Sequence, residues 1–309
     1  MITSSPRFSV LIPTYNGSSL LGATIDAVLA QSCASFEVIV VDDGSTDRTP
    51  ELLAGYGSRI VSIRQENKGA EVARHAASKV ARGEYLVLLD HDDLLLPGAL
   101  AVYDSVVRTG DCPALIIGAL RSFHSGQPVP SNEGGGDKIE VVKFENYFAR
   151  DRWLLKSCSQ IILKKSVVEN TDVLPAKPTA FPVDSCDIML SVGHLGPCVA
   201  VMEPVTVAYR LHDGNSSGSL DKMVRLAPVL IGLERAGRYK SGNKHRLDRY
   251  AYIGGMLLSY LKDAIHAHRY GLALGLFIRA FPMFAAALMR KISHRIKYYS
   301  VPSVLIPKA

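Results

Sequence analysis

Residues 8–12 read FSVLI and residues 36–41 read FEVIVV, two short apolar runs typical of strands buried on both faces of a parallel sheet. Between them, Leu20–Ala30 places apolar residues at helical spacing. The alternation continues with a helix beginning near Pro50, a strand at Ile60–Ile63, a helix over Ala70–Ala81 and a strand over Tyr85–Leu89. This order predicts the α/β class, with a doubly wound, mostly parallel, Rossmann-like sheet.

The pattern is less regular beyond residue 110. It predicts strands at Leu115–Leu120, Ile161–Leu163 and Val199–Tyr209, a helix around Asp187–Val192 and an exposed loop over Gly126–Asp137. From residue 221 onwards the apolar spacing is helical throughout, so we expect the α/β part of the chain to be followed by a helical extension.

Composition excludes several classes of protein. The chain has 309 residues, 48% of them hydrophobic and 21% charged, which is incompatible with a disordered chain. Its five cysteines are scattered and include no C-x-x-C pair, which indicates free thiols in a reducing compartment rather than a disulfide framework or a zinc site. Met1–Arg7 shows no signal-peptide pattern, so we expect a cytoplasmic location.

The net charge of +6 is unevenly distributed. Residues 1–220 contain 19 Lys and Arg against 25 Asp and Glu, whereas residues 221–309 contain 16 against 4. The basic character therefore belongs to the C-terminal region, which suggests an anionic surface as its partner.

Polar and acidic residues follow three of the predicted strands. They are Pro13-Thr14-Tyr15-Asn16-Gly17, Asp42-Asp43-Gly44-Ser45 and Asp90-His91-Asp92-Asp93. Ligands of open α/β sheets bind at the carboxyl ends of strands. Clustered carboxylates repel one another unless a cation or a hydrogen-bonding ligand lies among them, and a divalent metal carrying substrate phosphates would satisfy them. Single members of the set, such as Ser45 or Asp93, have an alternative role as helix caps.

Two common phosphate-binding motifs are missing from the sequence. The first strand is not followed by G-x-G-x-x-G, and G-x-x-x-x-G-K-[ST] does not occur. This disfavours a dinucleotide oxidoreductase and a P-loop NTPase. A nucleotide diphosphate bound here would have to be held by a metal ion.

Four segments in register resemble the family 2 glycosyltransferases. They are FSVLIPTYNG, FEVIVVDDGSTDRT, ENKGAEVARHAA and GEYLVLLDHDDLLLPGAL. The resemblance is continuous over residues 8–105 and returns more weakly over about 180–218. It implies the GT-A fold and an inverting enzyme that uses a nucleoside diphosphate sugar.

The resemblance also implies roles for individual residues. Pro13, Thr14 and Tyr15 would surround the nucleobase and ribose, Asp43 would bind the base edge, and the loop Asn67, Lys68 and Gly69 would line the same pocket. Asp90 and Asp92 match the D-x-D pair. Asp92 would bind Mg²⁺ or Mn²⁺, and Asp90 would bind the ribose, or the metal through water. His91 departs from the small residue usual between them, and we place it with the donor-binding residues.

The general base is expected from the second half of the chain. In the family it comes from a Glu-Asp pair at the start of a helix, about a dozen residues before a turn that matches Gly196-Pro197 here. The spacing favours Asp184, although Val183 stands where Glu is commoner. Asp187, one helical turn further on, is the alternative, and either acid has a purely structural alternative at a helix N-terminus.

A further segment, Tyr209-Arg210-Leu211-His212, resembles the family's Y-R-x-H motif. His212 would complete the metal or diphosphate contacts, and Arg210 would neutralise phosphate charge. Trp153, the only tryptophan, has two alternative placements, in the acceptor cleft or in the core.

We therefore expect a catalytic domain over 1–220, with a nucleotide-binding half at 1–110 and an acceptor half at 111–220, and a basic helical region over 221–309. The expected activity is transfer of a sugar, most simply from a UDP-linked donor, to a glycan or lipid-linked acceptor in polysaccharide or cell-envelope synthesis. A catalytically silent binding module on the same fold is the alternative. Nucleic acid is not expected as a partner, because the basic region lacks interleaved aromatic residues.

The segment Leu272–Met289 has 18 residues with one charge, Arg279, and one helix breaker, Pro282. A spanning helix needs about 20 apolar residues, so this segment is marginal for crossing a bilayer. Basic residues flank it on both sides, which favours a helix lying on an anionic membrane surface. A buried helix or a homodimer contact is the alternative.

Overall fold

The computed structural model of the chain describes residues 5–33, 35–131, 137–149, 157–177, 185–212, 220–239, 245–297 and 303–308. Its strands are β1 Phe8–Thr14, β2 Phe36–Asp42, β3 Val61–Arg64, β4 Tyr85–Leu88, β5 Leu94–Leu95, β6 Leu115–Ile117, β7 Leu120–His124, β8 Lys138–Phe144, β9 Ile161–Lys164, β10 Cys198–Glu203, β11 Val207–Leu211 and β12 Val304–Pro307. Its α-helices are α1 Leu21–Leu29, α2 Thr49–Tyr56, α3 Ala70–Val80, α4 Ala99–Arg108, α5 Lys165–Glu169, α6 Ser185–Val192, α7 Leu220–Arg235, α8 Arg246–His266 and α9 Tyr270–Lys297.

A nine-stranded sheet with the order β12-β8-β10-β6-β9-β4-β1-β2-β3 forms the centre of the molecule. The strands β3, β2, β1 and β4 are parallel, with Phe8 opposite Phe36 and Tyr85. Side chains of β1 alternate between two hydrophobic clusters, with Leu11 packing on the α3 side and Val10 and Ile12 on the α1 side. Burial on both faces explains why these strands are almost wholly apolar, and the predicted α/β fold is confirmed.

Antiparallel strands enter the sheet in its second half. β9 lies antiparallel between β4 and β6, and β8 lies antiparallel to both β10 and β12. The strands β8 and β12 were not predicted. Three residues of β12, Val304, Leu305 and Pro307, are exposed, so this edge strand lacks the continuous apolar run that marks the central strands.

Two predicted strands are wrong as single elements. The expected strand at Leu115–Leu120 divides into β6 in the large sheet and the start of β7 in a second sheet. The expected strand at Val199–Tyr209 likewise divides into β10 and β11. Pro204 lies between the latter two and has no N–H to donate, so a continuous ladder would lose a hydrogen bond there.

The second sheet has three strands in the order β5-β11-β7. β11 runs parallel to β7 and antiparallel to β5, which follows the acidic residues after β4. Because β5 follows the acidic turn and pairs with β11, the small sheet places β11 close to that turn.

Candidate active site

The carboxyl ends of β1, β2 and β4 meet at one edge of the large sheet. Thr14 lies opposite Asp42, and Asp43 N donates to Thr14 O at 2.8 Å. Leu89 N donates to Leu11 O at 3.1 Å, which continues the β1–β4 ladder to the acidic turn. The three polar segments that follow these strands are thereby brought to the same edge.

Asp43 organises the loop that follows β3. Its Oδ1 accepts from Gln65 Nε2 at 2.7 Å and from Lys68 N at 2.9 Å, and its Oδ2 accepts from Gly69 N at 2.8 Å. A carboxylate has about four acceptor positions. The three bonds use three of these positions of the buried Asp43 side chain, and they join it to the Asn67-Lys68-Gly69 loop with which it was predicted to act.

The loop after β1 packs tightly against the acidic turn. A Cβ placed on Gly17 would lie 2.4 Å from Thr14 Oγ1 and 2.7 Å from His91 Cδ2, so only glycine fits there. Thr14 Oγ1 is buried and has no hydrogen-bond partner among the described residues. Pro13 is buried and Tyr15 is exposed. His91 thus contacts the predicted donor-binding loop.

Arg74 pairs with Asp90, the first acid of the D-x-D motif. The guanidinium Nη2 donates to Asp90 Oδ1, and the Arg74 side chain is only 6% exposed. Arg74 Nε is buried and has no hydrogen-bond partner in the described part of the chain. Arg74 is not among the site residues predicted from the sequence. The available signal was a charged residue on the otherwise apolar face of the helix that begins after the Asn67-Lys68-Gly69 loop.

Asp92 and His212 lie together, as predicted. His212 Nε2 is 2.9 Å from Asp92 Oδ2, although 119 residues lie between them in the chain. Arg210 Nε donates to Asp92 O at 2.9 Å, and the Arg210 guanidinium lies 4.8 Å from the centre of the Phe123 ring. The end of β11 is therefore fixed to the acidic turn by both of its predicted site residues.

Asp93 is fully buried and holds three segments together. Its Oδ2 accepts from Ser159 Oγ at 2.5 Å, its Oδ1 accepts from Arg210 N at 3.0 Å, and Ser159 Oγ itself accepts from Asp90 N at 3.0 Å. Burial and the neighbouring Asp90 carboxylate raise the pKa of Asp93 to about 8. Asp93 therefore supports the site from behind rather than capping a helix.

The Asp93 contacts give a first prediction. In Asp93→Asn, the side-chain carbonyl can still accept from Arg210 N and the amide can donate to Ser159 Oγ, so we expect a smaller loss of stability than in Asp93→Ala. In Asp93→Ala the three donors Ser157 Oγ, Ser159 Oγ and Arg210 N lose their acceptor, and the free energy of unfolding should fall by about 1–3 kcal/mol. Urea unfolding of the three proteins measures this difference. Wild-type stability of Asp93→Ala would contradict the assignment.

Asp92 and His212 fit a divalent cation as a pair. Both side chains are partly exposed, and carboxylate oxygen and imidazole nitrogen are ordinary metal ligands. The carboxylate of Asp90 is paired with the Arg74 guanidinium, which already balances its charge. The described residues contain no cluster of three His, Cys, Asp or Glu side chains arranged around one point. Substrate phosphates and water would have to supply the remaining ligands.

Of the two candidates for the general base, Asp187 lies among the described residues and Asp184 does not. Asp187, on α6, is 3% exposed, and its carboxylate accepts from Arg238 Nη2 at 2.8 Å and from Tyr239 Oη at 2.8 Å. It links α6 to the segment that follows α7. Asp184 and Trp153 lie outside the described residues.

Comparison with known proteins bears on this site. Residues 9–103, which contain the three strand-end segments, match the family model described as glycosyl transferase family 2. This chain carries a family 2 glycosyltransferase domain. Over 115 residues the chain is 41% identical to an uncharacterised glycosyltransferase of Rickettsia typhi, a match covering 37% of this chain and 36% of the relative. The chain spans about a third of the length of such curated relatives.

Solved structures show that the chain has the GT-A fold. Residues 1–349 of Staphylococcus aureus TarS, in complex with UDP-GlcNAc, align with a TM-score of 0.59 and 18% identity over 81% of this chain and 71% of that one. The mannosyltransferase PcManGT of Pyrobaculum calidifontis, in complex with GDP-Man and Mn²⁺, aligns with a TM-score of 0.53 and 20% identity over 93% and 87% of the two chains.

Proposed function

We propose that this protein transfers a sugar, with inversion, from a nucleoside diphosphate sugar to a hydroxyl group of a glycan or lipid-linked acceptor, in polysaccharide or cell-envelope glycan synthesis. The observation that carries the proposal is the pairing of Asp92 with His212, 2.9 Å apart, beside the pairing of Asp90 with Arg74. Two acids and two basic groups converge at the strand ends, where α/β proteins bind nucleotides.

The donor would bind across the edge of the large sheet. The base would lie against Pro13, Thr14 and Tyr15, with the remaining acceptor position of Asp43 receiving an N–H of the base edge. Uracil and guanine both present such an N–H, and the structural neighbours hold UDP-GlcNAc and GDP-Man. We favour UDP as the nucleotide carrier. Arg210 would neutralise phosphate charge from the β11 side.

Asp92 and His212 would hold Mg²⁺ or Mn²⁺, with Asp90 interacting through water or with the ribose. A bound cation would supply positive charge against the charge that develops on the departing diphosphate. Buried Arg74 keeps Asp90 in a fixed orientation, and Asp93 holds the turn that carries Asp92. These contacts set the site in place before any ligand binds.

An inverting transfer needs one carboxylate to accept the proton of the acceptor hydroxyl, on the face opposite the departing diphosphate. We assign this role to Asp184. The contacts of Asp187 support the choice, because its two oxygens already accept hydrogen bonds from Arg238 and Tyr239 and the group is buried.

A panel of nucleotide sugars tests the proposed function. With Mn²⁺ or Mg²⁺ present, one UDP- or GDP-linked sugar should release its nucleoside diphosphate faster than the others, and an added glycan or lipid-linked acceptor should accelerate the release. The matched control is Asp92→Ala. A silent binding module on the same fold would bind a nucleotide sugar, as seen by calorimetry, and release no diphosphate with any acceptor.

A further inference from the structure

α9 exposes a continuous apolar stripe. The residues Leu274, Phe277, Ile278, Phe281, Leu288 and Ile292 are all more than 40% exposed, and their spacings of three, four and seven residues place them on one helix face. Phe277 and Phe281 lie edge to face, with ring centres 5.8 Å apart. A contiguous exposed apolar face of this length is typical of a surface that binds a protein partner or a membrane.

The opposite face of α9 is packed against α8. A Cβ on Gly254 would lie 2.0 Å from Met283 O, so the two helix backbones touch where they cross. Ala280, Met283 and Phe284 are buried on this side. α9 is therefore attached along one side and exposed along the other.

This attachment bears on whether α9 could cross a membrane. In the described part of the chain, Tyr270–Ile292 is the one helical segment long and apolar enough to do so, with a mean hydropathy of 1.9. Its partner α8 carries Lys262 and Asp263, both exposed, and α9 itself carries Arg279 near its middle. Inserting α9 would require either carrying these charges into lipid or separating the two helices. A helix lying flat avoids both costs.

Basic side chains border the stripe. Arg269, Arg279 and Lys291 are exposed. At roughly 100° per residue, Lys291 lies about 90° from the centre of the stripe on one side, and Arg279 lies about 150° from it on the other. Arg279 also lines a groove of about 200 Å³ between α7 and α9, whose other walls include Pro228, Gly271 and Gly275.

The charge of the region distinguishes between two occupants of this face. Residues 221–309 contain 16 Lys and Arg against 4 Asp and Glu. Two copies joined through the stripe would bring two basic borders together, which is unfavourable, whereas anionic headgroups would complement them. Long basic side chains at the edge of an apolar helix face can reach headgroups while the apolar face enters the acyl region.

We propose that the exposed face of α9 binds an anionic lipid surface, with the helix parallel to the membrane plane and α8 on its aqueous side. Arg269, Arg279 and Lys291 contact headgroups, and the stripe enters the acyl boundary. This surface is separate from the site at the strand ends, and it holds whether or not the proposed sugar transfer is correct.

Vesicle sedimentation of the full chain tests the proposal without any donor. We expect binding to vesicles of phosphatidylcholine mixed with phosphatidylglycerol, weaker binding to phosphatidylcholine alone, and weakening by salt. Leu274→Gln/Ile278→Gln should lower the vesicle affinity at least about tenfold, since both side chains are exposed and Gln is a good helix former. The control Val80→Gln changes an exposed apolar residue of α3 and should bind like the wild type.

Three outcomes would overturn the proposal. The first is a chain that stays in the supernatant with anionic vesicles at low salt. The second is a dimer in light scattering that Leu274→Gln/Ile278→Gln dissociates, which would assign the stripe to a second copy. The third is bound protein that resists extraction at high pH, which would indicate a spanning helix. Circular dichroism and thermal unfolding of the double variant verify that loss of binding is not loss of folding.

Discussion

Asp92→Ala is expected to lower turnover at least about a hundredfold, because it removes the carboxylate that we propose holds a divalent cation together with His212, 2.9 Å away. EDTA should have the same effect on the wild type, and Mn²⁺ should restore the activity of the wild type but not of the variant. Diphosphate release with the preferred donor is the measurement. Arg210 contacts the Asp93 side chain and the Asp92 backbone, not the Asp92 side chain, so the end of β11 should keep its place and the variant should remain folded.

The matched control is Asp111→Ala. Asp111 is another acid held by a basic partner, Lys143, but it lies on the surface away from the strand ends. Its removal should leave turnover within about twofold of wild type, since exposed ion pairs contribute little. Full activity of the wild type in EDTA would contradict the assignment of Asp92 and His212 to a cation.

Asp184→Asn should lower turnover by about 10²–10⁴-fold while nucleotide binding is retained, because the amide has nearly the same shape but cannot accept the acceptor's proton. Turnover of the preferred donor and calorimetric binding of its nucleoside diphosphate separate these two effects. An effect of this size with unchanged donor affinity is typical of a group that acts only during the reaction.

Asp187→Asn is the matched comparison one helical turn away. It leaves Arg238 without its charged partner, so we expect the free energy of unfolding to fall by about 1–3 kcal/mol, with any loss of turnover following the loss of folded protein. The reverse pattern, in which Asp187→Asn folds normally with lost turnover and Asp184→Asn is fully active, would move the base to Asp187.

The nucleotide-binding half could be predicted from local sequence because its strands are buried on both faces. Runs such as FSVLI and FEVIVV reflect that burial directly, and the chain must leave each strand at the same edge, so the residues to inspect follow from the pattern. Resemblance to the family then added Arg210 and His212, which the structure places beside Asp92.

Residues that support the site from behind could not be predicted in this way. Arg74, Asp93 and Ser159 occupy a helix, a turn and a short 3-10 segment, and nothing in their local sequence shows which partner each will meet. Their roles depend on tertiary contacts, such as the bond from Ser159 Oγ to Asp93 across 66 residues. Edge strands are hard to predict from sequence for a related reason. β12 is largely exposed, so it lacks the apolar run that marks a buried strand.

The pairing of β12 with β8 returns the end of the chain to the large sheet after the three C-terminal helices. In the chain, these helices are preceded by β11 of the small sheet and followed by β12 of the large one. Paired strands on both sides of the helices in the chain restrict their movement more than attachment at one side would. With α9 on a lipid surface, as proposed, the candidate active site would stay at a nearly constant distance from the membrane. The protein would then select acceptors whose reacting hydroxyl lies at that distance from the membrane.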